Sequence, residues 1–197
     1  MKTYRTIAFY KPFDVLSSFT DEEGRVTLKK YIDIPDIYSA GRLDRDSEGL
    51  LLLSDDKRLL YRLTDPLFHL PKTYLVQVEG LITPEALGKI TTGIIIQGVL
   101  TRRCRATAVS EPNLPLRSKP ITPHGETSWM RLILQEGKKR QIRHMTAAVG
   151  FPTLRLARIA VGPVSMAGLQ PGEWRNLTPD ELKLLYAAVK ISFGNTP

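Results

Sequence analysis

The sequence predicts an α+β fold organised around a largely antiparallel sheet. Strand patterns outnumber helix patterns, and most strands follow one another with no helix between them. The helix patterns carry explicit start signals at Thr83-Pro84-Glu85 and Thr178-Pro179-Asp180-Glu181. With 197 residues and 42% hydrophobic content, the chain suits one or two domains with a buried core.

Ile7 to Tyr10 reads as a strand that Lys11-Pro12 ends, because proline brings no amide to a ladder. Leu50 to Leu53 is wholly apolar and reads as a strand buried on both faces. Asp56 to Leu63 forms a helix that stops before Pro66. Thr73 to Glu79 alternates Tyr74, Val76 and Val78 on one face with Leu75 and Gln77 on the other, as a strand does. Thr83 caps a helix that Gly93 closes. Residues 99 to 109 and 128 to 135 read as partner strands, and the prolines between them, Pro112, Pro115, Pro120 and Pro123, make 110 to 127 an exposed loop. Lys138 to Val149 is helical, with Ile142, Met145 and Val149 on one face and Gly150 as its stop, and Leu156 to Val164 is a further strand. The last helix opens on a capping box, Thr178 to Glu181, and turns Leu182, Leu185 and Val189 inward.

Lys plus Arg number 28 against 20 Asp plus Glu, a net charge of +8, so a polyanion is the expected partner and nucleic acid the first candidate. Cys104 is the only thiol; no internal disulfide can form, and the residue reads as a small packed side chain in a reducing compartment. Met1-Lys2-Thr3-Tyr4-Arg5 lacks the apolar core of a secretion signal, and no apolar run nears the ~20 residues that span a bilayer. A cytoplasmic protein is expected, with no membrane partner. His69, His124 and His144 lie far apart with no partner cysteine, so zinc-ligand spacing is absent and no metal is expected.

Gly41-Arg42-Leu43-Asp44-Arg45-Asp46-Ser47-Glu48-Gly49 places acids on a polar turn directly ahead of the leucine strand, which anchors the turn to the core. Asp44, Asp46, Glu48, Gly49 and Asp55 imitate calcium-loop positions, but Leu50 to Leu53 stands where oxygens should point and no terminal glutamate follows. The bland alternative is that Asp44 shapes the turn and pairs with Arg42 or Arg45. A basic segment, Gly137-Lys138-Lys139-Arg140-Gln141-Ile142-Arg143-His144, puts Arg140 and Arg143 on one helix face. Cations crowd the start of that helix, where the macrodipole disfavours them, so an anion is expected to compensate.

Four stretches together resemble the pseudouridine synthases, in the RsuA branch and most like members that act on large-subunit ribosomal RNA. They are Tyr10-Lys11-Pro12, Gly41-Arg42-Leu43-Asp44 through Leu53, Lys72-Thr73-Tyr74, and Arg140-Gln141-Ile142-Arg143-His144-Met145 with Gly150. The resemblance implies a pseudouridine synthase fold in which Asp44 is the catalytic aspartate, Tyr74 the active-site tyrosine and Arg143 the arginine paired with Asp44, with Arg140 in reserve for that pairing. Arg42 would help displace the target nucleotide. The residues suit the chemistry: a carboxylate kept ionised by a guanidinium can add to the sugar or remove a sugar proton, and a tyrosine can stack on an extruded uracil.

Many relatives carry a small S4-like RNA-binding domain before the Lys-Pro segment, where this chain begins, so residues 1 to 197 are expected to be one catalytic domain that selects RNA itself. Lys11, Arg102, Arg103, Arg105, Lys138, Lys139, Arg140, Arg155 and Arg158 are the candidate RNA contacts. RNA, expected to be large-subunit ribosomal RNA, is the only partner implied, and a monomer is expected. Two rivals stand beside this reading: a non-catalytic RNA-binding module with a structural Asp44, and a phosphodiesterase holding magnesium on Asp44, Asp46 and Glu48.

Overall fold

Every residue of the strand that follows the Asp44 turn is buried, and the architecture is built outward from it. A computed structural model describes residues 4–191; Met1 to Thr3, part of the segment read above for a secretion signal, lie outside the described residues. In chain order the elements are β1 (Thr6–Lys11), β2 (Tyr38–Ser39), β3 (Glu48–Ser54), α1 (Lys57–Thr64), β4 (Lys72–Glu79), α2 (Pro84–Thr92), β5 (Ile95–Ile96) and β6 (Val99–Leu100). There follow β7 (Arg105–Val109), β8 (Thr127–Leu134), α3 (Gln141–Ala148), β9 (Thr153–Val161), β10 (Val164–Ser165), β11 (Trp174–Asn176) and α4 (Pro179–Ala188).

The main sheet runs β11-β1-β3-β9-β4-β8-β7, with β2 added beside β3 and β10 beside β9. Every pairing in it is antiparallel except β3 with β9, where Glu48 faces Ala157 and Gly49 faces Arg158. This is the α+β arrangement the strand patterns predict. Alternation sends the leucines of β3 to opposite sides. Leu50 and Leu52 pack with Leu59, Leu185 and Val189 from α1 and the end of α4, whereas Leu51 and Leu53 pack with Leu28, Ile32 and Ile37. A third cluster joins Val76, Val78, Met130 and Leu132 of β4 and β8 to Ile90 of α2 and to Ile142 and Met145 of α3.

The capping predictions hold in detail. Thr83 accepts from the Ala86 amide, and Thr178 and Glu181 form a reciprocal capping box. Asp56, just before α1, accepts from the amides of Arg58 and Leu59 while its other oxygen receives the Tyr186 hydroxyl at 2.6 Å, tying α1 to α4.

Two local expectations are corrected. Residues 99 to 109 do not form one strand: the chain breaks at Thr101, whose hydroxyl accepts from the Ile94 amide, and only Arg105–Val109 reaches the main sheet. The helix expected from Lys138 begins at Gln141, because Arg140 adopts a left-handed conformation (φ 52°) that no helix can propagate through. Lys138 and Lys139 therefore sit in the turn ahead of α3. The short strands β2 and β11 carry too few residues to show a period.

Candidate active site

The turn bearing Asp44 is fixed from both sides by the segment after β1. The Ser17 hydroxyl donates to the Leu43 carbonyl at 2.8 Å and accepts from the Leu43 amide at 3.0 Å. Asp14 donates its amide to the Arg45 carbonyl at 2.8 Å and pairs its carboxylate with the Arg45 guanidinium. Within the turn, the Ser47 amide donates to the Asp44 carbonyl at 3.0 Å. Gly49 then lets β3 approach β9: its φ is +100°, and a Cβ there would stand 2.3 Å from the Arg158 carbonyl oxygen. The glycine that imitates a calcium-loop position serves strand pairing.

The turn forms one wall of a cleft of about 1060 Å³, lined also by Lys72 and Tyr74 of β4, residues 134 to 142, and Leu156 and Arg158 of β9. Asp44 is half-buried in this wall, and its carboxylate makes no hydrogen bond or ion pair with any described residue. The other acids lining the cleft are all engaged: Asp14 with Arg45, Asp46 with two arginines, Asp65 with the Leu67 amide, and Glu136 with Gln141 and the Arg102 amide. Tyr74 is 8% exposed; it packs in the β4–β8 cluster and also faces the cleft, beside an irregularity in the β4–β9 register between Thr73 and Tyr74.

The expected partner of Asp44 is corrected. Arg143 and Arg140 both bind Asp46 instead: Arg140 grips its carboxylate with two hydrogen bonds of 3.0 and 2.9 Å, and Arg143 Nε lies 3.3 Å from it. Arg143 further donates to the Asp46 carbonyl at 2.7 Å and to the Thr153 carbonyl at 3.1 Å, so it ties the turn to β9. Both guanidiniums still lie within electrostatic reach of Asp44. Burial pushes the Asp46 carboxyl up, but its hydrogen bond to Arg140 and the charges of Arg143 and Arg140 outweigh this and hold it below its ordinary value. Asp46 thus supplies the anion expected near the start of α3.

The basic residues divide. Arg42 is exposed and makes no hydrogen bond or ion pair with a described residue, as is true of Lys139; Arg103 and Arg105 are also exposed. Lys138 lies at the cleft rim 3.9 Å from Glu136, and Arg102 contacts the His69 ring at 2.9 Å. Lys11, Arg155 and Arg158, expected on an RNA-facing surface, are inside. Lys11 is fully buried and donates to the Pro12 and Val15 carbonyls at 2.8 and 2.7 Å, organising the segment that pins the Asp44 turn. Arg155 is ion-paired with buried Glu48 and donates to the Pro115 carbonyl at 2.7 Å, fastening the 110–126 loop to the sheet. Arg158 donates to the Leu50 carbonyl at 2.8 Å across the parallel seam.

Asp46 and Glu48 are therefore claimed by arginines and diverge from Asp44. Among the described residues no group of three His, Cys, Asp or Glu side chains converges. Cys104 donates to the Ile90 carbonyl at 3.2 Å, and burial pushes its thiol up to about 11, in keeping with a packing role. No helix among the described residues is long and apolar enough to cross a membrane. Sequence reasoning missed Ser17, Asp14 and the Asp46 clamp, whose partners lie far along the chain.

A mixed sheet whose cleft holds both a tyrosine and an acid with no partner among the described residues defines a class that the known proteins identify. Residues 5–148 match the RNA pseudouridylate synthase family. The chain belongs to this family and is an isomerase that converts uridine in RNA to pseudouridine. It is 41% identical over 179 residues to the ribosomal large subunit pseudouridine synthase E of Vibrio parahaemolyticus, covering 90% of this chain and 75% of that one. With the enzyme of the same description from Xanthomonas campestris pv. campestris it shares 45% identity over 170 residues, 84% of this chain and 91% of the other. A crystal structure of a pseudouridylate synthase superposes with a TM-score of 0.78 at 28% identity, over 94% of this chain and 75% of that one.

Proposed function

We propose that the substrate is a specific uridine in large-subunit ribosomal RNA and that Asp44 carries the reaction. The observation that supports this is the state of Asp44: it is the cleft acid with no partner among the described residues, on a turn pinned at Leu43 and Arg45. Relatives of 41 to 45% identity are described as large-subunit pseudouridine synthases, which supports the substrate.

In this reading the target nucleotide leaves its stack and enters the cleft, at a cost of a few kcal/mol that is smallest for an unpaired base. Tyr74 receives the uracil ring, and Arg42, exposed and unengaged, fills the vacated place in the RNA. The Asp44 carboxylate either bonds to the sugar carbon or takes a sugar proton as the bond to N1 breaks. Arg140 and Arg143, held by Asp46, keep positive charge close to that carboxylate. The base turns, and C5 bonds to the same carbon as the Asp44 carboxylate leaves it or, on the other route, as Asp44 returns the proton to the sugar; C5 then loses its proton while N1 gains one. No cofactor enters this balance. Lys138 and Lys139 of the cleft lining, with exposed Arg102, Arg103 and Arg105 outside it, supply phosphate contacts. The main sheet, whose strands run from Thr6 to Asn176, supports one catalytic domain; a monomer in the cytoplasm is part of the same reading, and a ribosomal substrate is in keeping with that location.

The test compares wild type with Asp44→Asn on a large-subunit ribosomal RNA transcript, mapping pseudouridine with and without chelator. Wild type is expected to modify the RNA in chelator, and the variant to bind it without forming product. A variant as active as wild type overturns the role of Asp44. Chelator-sensitive strand cleavage would favour the phosphodiesterase rival.

A further inference from the structure

Besides exposed Arg42 and Lys139, two inward cations of the cleft, Lys72 and Arg158, have no anion among the described residues. Lys72 stands two residues before Tyr74 on β4, shares its strand face, and donates only to the Leu70 carbonyl at 3.3 Å. Arg158, opposite Tyr74 in the β4–β9 register, is 5% exposed and uses Nε on the Leu50 carbonyl. Its two terminal nitrogens bond to no described residue, and neither is sealed from solvent without a partner, so they open toward the cleft that Arg158 lines. Burial, and then the charge of Arg158, weaken the hold of Lys72 on its proton. Cations that are desolvated and close to each other are stabilised most by an anion placed between them.

We propose that Lys72 and Arg158 form an anion subsite that carries the negative charge the uracil takes up as its bond to the ribose breaks; this rests on Asp44 and Tyr74 being the reacting site. When the N1 bond breaks, its electron pair leaves with the base, while the sugar carbon is compensated by a new bond to Asp44 or by loss of a sugar proton to it. The detached uracil is then an anion, with charge spread over N1 and its two carbonyl oxygens. It must be retained while it turns, and fixed charges in a partly dry site do this without reorganising. C5 then bonds to the sugar carbon as Asp44 departs from it or returns the sugar proton; once C5 has lost its own proton, N1 takes one and the charge is gone. Depth distinguishes this role from backbone binding: Arg42 and Lys139 are exposed and suit phosphates, whereas Lys72 and Arg158 lie beside the ring that receives the base.

The test uses a large-subunit ribosomal RNA transcript tritiated at uracil C5, with wild type, Lys72→Met, Lys72→Gln, Lys72→Arg and Asp44→Asn, each checked for wild-type melting. Single-turnover tritium release at saturating enzyme is expected to fall about 100-fold in the Met and Gln variants, as when one donor to a developing anion is lost. Their RNA Kd should stay within about twofold and Lys72→Arg should recover most of the rate, since the charge alone is at issue. Weaker RNA binding at an unchanged rate would make Lys72 a phosphate contact and overturn the proposal, as would unchanged rate and binding. Should one neutral variant fail to fold, the other and Lys72→Arg carry the comparison. Asp44→Asn separates the two ideas. If it is inactive while Lys72→Met is fully active, only the anion subsite falls; if it matches wild type, the site assignment falls too.

Discussion

Glu48→Gln removes one charge and almost no volume from the place where the Asp44 turn enters the sheet. Glu48 is 2% exposed and its partner Arg155 9%, so the pair is shielded from solvent. Breaking a buried pair by neutralising one member leaves the other charge uncompensated, at about 3 to 5 kcal/mol. In a chain of this length each kcal/mol moves the melting temperature roughly 2 to 4 °C, so a fall of roughly 6 to 20 °C is expected. Lys11 also draws on the Glu48 charge, which adds to the loss. Arg155 holds the Pro115 carbonyl, so the 110–126 loop should loosen as well and be cut faster by limited proteolysis. Calorimetry and a timed trypsin digest of wild type and variant measure both effects. The double variant Glu48→Gln/Arg155→Met should recover part of the melting loss, because no unpaired charge remains. A Glu48→Gln melting temperature within about 1 °C of wild type would refute a stabilising buried pair.

Two further outcomes test the framework. Gly49→Ala should abolish soluble expression or lower melting severely, since its Cβ meets the Arg158 backbone at 2.3 Å in a backbone conformation that L residues avoid; a variant melting like wild type would mean that the β3–β9 seam yields easily. Burial brings Lys11 down to about 7 from its ordinary value of 10.5, so between these pH values the unfolded chain holds more protons and stability rises with pH, while below about 7 the cost of the buried charge is fully present. Melting measured against Lys11→Met from about pH 6 to 10 should therefore shift in favour of wild type as pH rises, and parallel curves would contradict a buried, titrating Lys11.

What could be read from the sequence was local. Leu50 to Leu53 announced its two-sided burial by composition, and Thr178 to Glu181 announced a helix start by side chains that bond within one turn. The cleft residues Asp44, Tyr74 and Arg140 came through the family resemblance, and the structure brings them to one opening. What could not be read depends on partners far away. Arg143 and Arg140 choose Asp46 over Asp44 across separations of 97 and 94 residues, and nothing at these four positions ranks the two acids. The same distance hid the burial of Lys11 and Arg155, since a cation quoted in a sequence carries no mark of the carbonyls or carboxylate that will enclose it. Residues 99 to 109 failed as one strand because Thr101 turns inward to cap the chain after α2, where a Cβ on Gly93 would stand 2.6 Å from the Thr101 carbonyl oxygen.

The parallel seam has a temporal consequence. As the polypeptide leaves the ribosome, the loop bearing Asp44 emerges long before Arg158, whose bond to Leu50 spans 108 residues. Until β9 arrives, and β11 after it, the early β1–β3 pair lacks both of these flanking strands, and the cleft lacks the wall that Leu156 and Arg158 supply. Competence therefore switches on near the end of translation, and nascent chains stalled before residue 158 should be inert toward RNA while already holding the acid.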